Sequence, residues 1–573
     1  MFVSNQKTQE LRSLLSDGQI HLPGTAGFMN GIFTGNLLFT EMAPGAVIIP
    51  SKVEEIVALV RFARDNGIHL TVKNGGHSYA GFSLNEGGII LHMRQFKKVE
   101  INDAGTEVTI QAGCIWNDVY DKFKGQNAAG IVVGGQCRTV GVSGFTLGGG
   151  FGAFSRSYGL GIDNVVEMTV VTAAGELLTL NHDETDPAKR DLFWALRGGG
   201  GGNLAILVEF KAKVHQLRDP HAKVVCGPLR WDLSNKEARD NFQAAMDVVD
   251  SREWPDELTI DALWRYKGEK LLGEMTMFFN GNMEKCLAVL EPILKLNPTV
   301  NELAEMPWYN WAVIAQGFSP DSPTYHHHIS FILGQGAITP AVTKSIIQIM
   351  EDSHKFLDGQ GKSRVMWHMG GGKIKDVAPD ATPYYWREGA YVVEFKLQWT
   401  DRERNPEMLA FLDKVKKTLM PYALEGRASY LNYLATSIDD WQYAYYGDNY
   451  PRLQEVKAHW DPTNFFHFQQ AIEPAGFVEK PTPILKRVTK KAAKTPMIIK
   501  RPTPGGPVFD SDSETERNAP AEDHRRPLTA LERTAAMWNA YSFPDPERLW
   551  KLEDPNPHKV LMVMGEGVLG RKM

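Results

Sequence analysis

Cysteine is scarce in this 573-residue chain: Cys114, Cys137, Cys226 and Cys286 are widely spaced and form no CxxC pair. That argues against a disulfide framework or a zinc knuckle. Charge of one sign is also missing, since 62 Lys and Arg stand against 68 Asp and Glu for a formal net charge of -6. Nothing general therefore calls for nucleic acid or an anionic membrane as partner. Long apolar runs are absent too. The opening MFVSNQKTQELRSLLSDG lacks the apolar core of a signal peptide, and no later stretch is long enough to span a membrane. A cytoplasmic protein is the default expectation. There is no GxGxxG turn between a strand and a helix with an acidic residue suitably downstream, and no GxxxxGK[ST]. Those two absences exclude a Rossmann fingerprint and a P-loop.

What the chain has in abundance is glycine, concentrated between Ile131 and Gly152 in IVVGGQCRTVGVSGFTLGGGFG. Glycine weakens helix and strand but lets main-chain N–H groups approach a ligand closely. Val, Phe and Leu throughout the stretch argue against a flexible surface loop, so it reads as a wall laid against something flat or anionic. The length implies two or three domains, and 43% apolar with 23% charged residues is ordinary for a globular protein.

Residues 1–42 are uninformative. Ser51 with Glu54 makes a capping-box pattern for a helix from Lys52 to about Asn66, with an apolar stripe of Val53, Ile56, Val57, Val60 and Ala63. Ile68–Val72, Gly88–Met93 and Val108–Ala112 read as strands, and Ile115–Phe123 as a helix. Val165–Val171 and Leu177–Leu180 read as a hairpin, Asp191–Arg197 as a helix and Leu204–Val214 as a strand, closing a first α+β domain near residue 215. Beyond it, Tyr391–Trp399 alternates over its whole length, with Tyr391, Val393, Phe395, Leu397 and Trp399 on one face and Val392, Glu394, Lys396 and Gln398 on the other. This predicts a half-buried strand of an antiparallel sheet whose polar face meets solvent. Met275–Phe279 is similar, and helices such as Met408–Met420 should cover one face. His326, His327 and His328 fall in a stretch that reads as a strand and so alternate between faces, which argues against a metal site. From about Lys480 the composition turns basic, then Pro- and acid-rich, and reads as disordered linker, with a possible helix over Leu528–Tyr541.

Five blocks in one order carry a family resemblance: VKNGGHSYAG, GGQCRTVGVSGFTLGGGFG, DLFWALRGGGGGN, YLNY, and YYGDNYPRLQEVKAHWDPTNFF leading to Gln469 and Ile472. Across roughly residues 43–475 the chain resembles the FAD-linked oxidases of the berberine-bridge-enzyme type, on the vanillyl-alcohol-oxidase (PCMH-type) flavin fold. The resemblance implies an FAD-binding domain of two α+β subdomains over 43–215 and an antiparallel-sheet substrate domain with covering helices over 216–425. A C-terminal segment, 426–475, would return to the FAD domain, leaving 1–42 as a lead-in and 476–573 as a largely disordered tail.

The resemblance also implies FAD held covalently, from His77 to its 8-methyl carbon and from Cys137 to carbon 6. Read alone, His77 is a turn histidine and Cys137 a small buried apolar residue. Asn74, Gly75, Gly76 and Ser78 would offer N–H groups to the pyrophosphate. Val140, Gly141, Val142, Gly144 and Phe145 would line the ring and ribityl chain, with Phe151, Ile206, Asn432 and Asn449 as further cofactor contacts. The catalytic base falls on Tyr433 of the YxNY motif. A phenol of ordinary pKa about 10 is a poor base, so neighbours are expected to lower it. Glu394 and Lys396 are candidates to tune it or to act directly. Valine at Val140 favours reaction with dioxygen. Three departures stand out: Ser143-Gly144-Phe145 for Gly-Gly-His, Asn203-Leu204-Ala205-Ile206 for Asn-Phe-Gly-Ile, and Tyr384-Tyr385-Trp386-Arg387 for Phe-x-His-Arg. The third suggests an aromatic substrate-side pocket. The leading expectation is an oxidase that passes hydride from a carbohydrate or aromatic alcohol to FAD and electrons to dioxygen. Its alternatives are a dehydrogenase with another acceptor and a flavin-retaining scaffold whose tail recruits a partner.

Overall fold

The computed structural model describes residues 5–16, 18–126, 129–314 and 324–477. The expected linker and the helix at Leu528–Tyr541 lie outside these residues. The fold is α+β, with three main sheets.

The first sheet has four strands in the order Gln19–His21, Ala46–Ile49, Ile89–His92, Leu70–Lys73. Its inner pairs are parallel, and Gln19–His21 adds antiparallel to the edge. Gln19–His21, ahead of residue 43, thus belongs to this sheet. Phe28 and Ile32 of the helix Ala26–Ile32 pack on Val47, Ile49 and Ile90 in a small second core.

The helix expected over 52–66 spans Val53–Asp65, but its N-terminus is not closed by Ser51 and Glu54. Glu55 does that work instead. Its carboxylate accepts from the N–H of Ser51 and, across 39 residues, from the N–H of Ser16, both at 2.7 Å. The N-cap falls one residue later than the pattern suggests, so the third helical residue is Glu55 and not Glu54.

The second sheet is antiparallel, ordered Val99–Ile101, Glu107–Gln111, Ala205–Lys213, Val165–Thr172, Leu177–Asn181, and contains the expected hairpin. The third has eight strands. Its centre runs Lys270–Phe279, Leu258–Lys267, Gly361–Met369, Tyr391–Trp399, Tyr325–Leu333, all antiparallel. The helices Pro340–Leu357 and Asn405–Leu419 pack on one face of it, where Phe395 meets Phe411 at 6.1 Å between ring centroids. The opposite face turns toward the glycine wall.

Residues 446–472 are tied to Gly199 and Asn203. Lys457, wholly buried, donates to the carbonyls of Asn203 and Phe466 and to the Asp461 carboxylate. All three ammonium protons are thereby used. The Ile472 N–H donates to Asn203 Oδ1 at 2.9 Å and the Tyr446 hydroxyl to the Gly199 carbonyl at 3.0 Å. Glycine-rich residues 198–203 and the segment 446–472 are thus one structural unit.

Candidate active site

Two glycine turns meet main chain to main chain. A Cβ on Gly75 would stand 2.6 Å from the Gly141 nitrogen, and one on Gly141 would stand 2.5 Å from the Asn74 amide. No side chain fits at either position, which is why both are glycine. Gly144 differs, since a Cβ there would meet nothing within 4 Å. It faces a cavity of about 400 Å³ lined by both turns, by Ile206, by Asn432 and Tyr433, and by the polar face of the large sheet. That volume is within the roughly 300–1,000 Å³ of cofactor and small-molecule sites.

Of the expected cofactor contacts, Asn74, Gly75, Gly76, His77, Ser78, Cys137, Val140, Gly141, Gly144, Phe145, Phe151, Ile206 and Asn432 line this cavity. Two do not. Val142 is fully buried in the core, with its N–H on the Cys114 carbonyl at 3.0 Å. Asn449 donates its side-chain amide to the carbonyls of Pro379 and Thr382 and fixes that loop. The aromatic pocket expected from Tyr384 to Arg387 is also absent from the cavity wall. Arg387 is locked in a bidentate pair with Asp163 at 2.7 and 2.9 Å, and the Trp386 indole donates to the Ala444 carbonyl. These residues join elements and face no substrate.

The turn at residues 74–78 fits a pyrophosphate. The main-chain N–H groups of Asn74, Gly75, Gly76, His77 and Ser78 donate to no protein acceptor among the described residues. The hydroxyls of Ser78 and Ser83 are buried at the cavity without partners. Buried donors left unpaired are costly and are rare unless a ligand completes them. The departure Ser143 is absorbed here, because its hydroxyl accepts from the Asn74 amide at 3.1 Å. Phe145 sets its ring edge against Trp116 at 5.0 Å.

His77 and Cys137 are joined through one hydroxyl: Thr139 Oγ1 lies 3.1 Å from His77 Nε2 and 3.3 Å from Cys137 Sγ. Burial, then the cations Lys396 and Lys73, push the His77 pKa down to about 4, so the imidazole is neutral and nucleophilic near pH 7. Thr139 was not singled out from sequence.

Opposite this wall, the face of Tyr391–Trp399 expected to meet solvent is buried. Glu394 is 1% exposed and Lys396 7%. The Glu394 carboxylate accepts from His328 Nδ1 at 3.0 Å and from Arg364 at 3.3 Å. Burial alone would raise its pKa, but Arg364 and His328 hold it well below the usual carboxylate range. It is a fixed anion. Burial and Arg364 push the Lys396 ammonium down to about 8, and it sits 5.1 Å from the centroid of the Tyr79 ring. Periodicity identified the polar face correctly and its surroundings wrongly, because a sheet's second face carries the same alternation whether it meets water or a polar cavity.

The YxNY motif divides its labour. Tyr430 accepts from the Phe151 N–H at 3.0 Å and from the Asn432 amide at 3.1 Å, and Asn432 also donates to the Phe145 carbonyl at 2.9 Å. Tyr433 turns its hydroxyl to His368 Nε2 at 3.2 Å, and His368 Nδ1 lies 3.0 Å from Asp261. Gln136 donates to the same Asp261 oxygen. The expectation that neighbours lower the Tyr433 pKa fails: burial, then Glu394, Tyr79 and Tyr430, push it well above the ordinary phenol value. His368 and Asp261 were missed in the sequence. The available signal was weak, a lone carboxylate within the apolar TIDALW and a histidine at the end of RVMWHM. Among the described residues no group of three potential metal ligands is brought together, His326 to His328 included.

Comparison with known proteins follows the same outline. The FAD binding domain family model matches residues 44–181, and the berberine and berberine-like model matches residues 429–473. The FAD-linked oxidoreductase YvdP of Bacillus subtilis (strain 168) is 28% identical over 466 residues, covering 80% of this chain and 98% of that one. Glucooligosaccharide oxidase of Sarocladium strictum is 28% identical over 500 residues, covering 82% and 95%. The solved berberine bridge enzyme from Eschscholzia californica superposes with a TM-score of 0.71 at 23% identity, over 82% of this chain and all of that one. That likeness is one of fold.

Proposed function

We propose that this chain, which belongs to the FAD-linked oxidoreductases of the berberine-bridge-enzyme-like family, is an oxidase acting on an alcohol carbon of a polyhydroxylated, carbohydrate-class substrate. One observation carries the substrate class: the sheet presents Asp261, Arg364, His368, Glu394 and Lys396 to the cavity beside Tyr433. A cavity face this rich in polar groups suits a hydroxyl-rich molecule, which can hydrogen-bond to it, better than an apolar one. Similarity to a glucooligosaccharide oxidase supports the same class.

FAD bound here would supply hydride acceptance and, with dioxygen as the electron acceptor, peroxide formation. The chain's own residues do the rest. The N–H groups of 74–78 would hold the pyrophosphate, and His77 and Cys137, with the Thr139 hydroxyl between them, would anchor the ring. Val140, on the cavity wall, leaves room for dioxygen. Tyr433 takes the substrate's hydroxyl proton.

A second reading, an aromatic alcohol as substrate, is favoured by Tyr79, Phe82, Phe151 and Phe468 around the same cavity. Peroxide release measured over a panel of oligosaccharides and phenolic alcohols separates the two. Turnover confined to phenolic alcohols overturns the carbohydrate reading, and no turnover with flavin bound returns the scaffold alternative. Covalent attachment has its own measurement, the visible spectrum of acid-precipitated protein. Yellow chromophore is expected to stay with wild type and with either single variant, His77→Ala or Cys137→Ala, and to be lost from the double variant.

A further inference from the structure

We infer that the His368–Asp261 pair is the proton acceptor behind Tyr433, so that the tyrosine takes the substrate's hydroxyl proton while handing its own to His368 Nε2. The inference rests on the oxidase reading above and specifies how its base works. A carboxylate only accepts hydrogen bonds. His368 Nδ1, 3.0 Å from Asp261, must therefore donate its proton there, and in the neutral ring Nε2 carries the lone pair. That lone pair is 3.2 Å from the Tyr433 hydroxyl, which fixes the direction of donation from tyrosine to histidine. Gln136, the residue before Cys137, donates to the same Asp261 oxygen and holds the carboxylate in place. Gln136, Asp261, His368 and Tyr433 all line the one cavity, although they come from four distant parts of the chain.

This arrangement resolves how a buried phenol can serve as a base. A free tyrosinate at Tyr433 is disfavoured by burial and by Glu394, Tyr79 and Tyr430. In the relay no tyrosinate accumulates: the substrate O–H proton moves to Tyr433 Oη, the Tyr433 proton moves to His368 Nε2, and the hydride leaves carbon for FAD. The imidazolium formed is stabilised by Asp261, the logic of a histidine oriented by a carboxylate, and it releases its proton to water between turnovers.

The groups facing His368 are Asp261 from Leu258–Lys267, Arg364 from its own strand, Glu394 from Tyr391–Trp399, and Tyr433 from the C-terminal segment. Lys396 reaches the same cluster through Tyr79. Burial opposes charge on His368, but Asp261 and Glu394 outweigh it and raise its pKa above 6.5. His368 accepts a proton only when neutral. The rate therefore falls as pH drops through that raised value.

The test uses the flavin-loaded enzyme and its Asp261→Asn and His368→Gln variants, with kcat and kcat/KM followed across pH on the best substrate of the panel. In Asp261→Asn the acid limb is expected to move to lower pH while the plateau kcat falls on the order of 10²-fold at nearly unchanged KM. In His368→Gln the limb disappears along with most of kcat. A limb that stays in place in Asp261→Asn, at near wild-type kcat, overturns the relay. A second measurement does not depend on turnover: histidine NMR titration of wild type and both variants. One signal titrating above 6.5 should vanish in His368→Gln and shift to lower pH in Asp261→Asn. Its absence from wild type overturns the relay even if the oxidase reading stands. Its presence without turnover on any panel member leaves the pair intact and removes the oxidase reading.

Discussion

Tyr433 and Glu394 both ionise in principle, and the cavity treats them oppositely. Burial keeps the tyrosine protonated, while Arg364 and His328 keep the glutamate charged. Tyr433→Phe is expected to lower kcat by about 10²–10⁴-fold with flavin content unchanged, as read by turnover and absorbance on one preparation. Glu394→Gln is a stability experiment. It leaves Arg364 and His328 with a neutral partner inside the protein, and breaking such a buried pair costs on the order of 3–5 kcal/mol, to be measured as a lowered denaturant midpoint at constant m-value. At this scale the sequence was legible where residues sit inside a dense local pattern. His77 follows two glycines, Cys137 lies in the glycine wall, and Tyr433 closes a four-residue motif. Asp261 and His368 carry no such pattern, being single polar residues at inward positions of two strands. Only the register that sets Asp261 opposite His368 makes them a pair.

Among the elements, the strand Tyr391–Trp399 is the clearest case of a correct period with a wrong environment. Its apolar side packs under helices, and its polar side, expected in water, furnishes much of the substrate half of the cavity. Phe395→Ala probes the first side. A fully buried phenylalanine against Phe411 should cost about 3–5 kcal/mol, read by thermal or denaturant unfolding, with KM little changed. The glycine turns are probed at Gly141. Gly141→Ala pushes a methyl against the Asn74 amide and the Gly75 nitrogen. The two turns must separate, and the flavin-to-protein ratio of purified protein should fall. Glycine density pointed to close main-chain approach. It did not say that the first approach is between the two turns themselves.

For the whole molecule, the family outline was readable because five motif blocks stand in one order along the chain. The edge strand Gln19–His21 was not readable, since three residues of mixed polarity carry no period. Lys457 clasps the glycine-rich residues 198–203 to the 426–475 segment. Lys457→Met removes one partner of a wholly buried pair with Asp461 and frees two carbonyls, so a loss of about 3–5 kcal/mol is expected, together with earlier proteolysis of the 426–475 segment than of the sheets.

That clasp has a consequence for biosynthesis. The cavity wall takes residues from Thr34 to Phe468, and the bonds of Lys457 and Ile472 to Asn203 help anchor the segment bearing Tyr433, His467 and Phe468. A chain truncated before Lys457 lacks Phe466, His467 and Phe468 of the cavity wall and is expected to yield colourless polypeptide even though every residue of both turns is present.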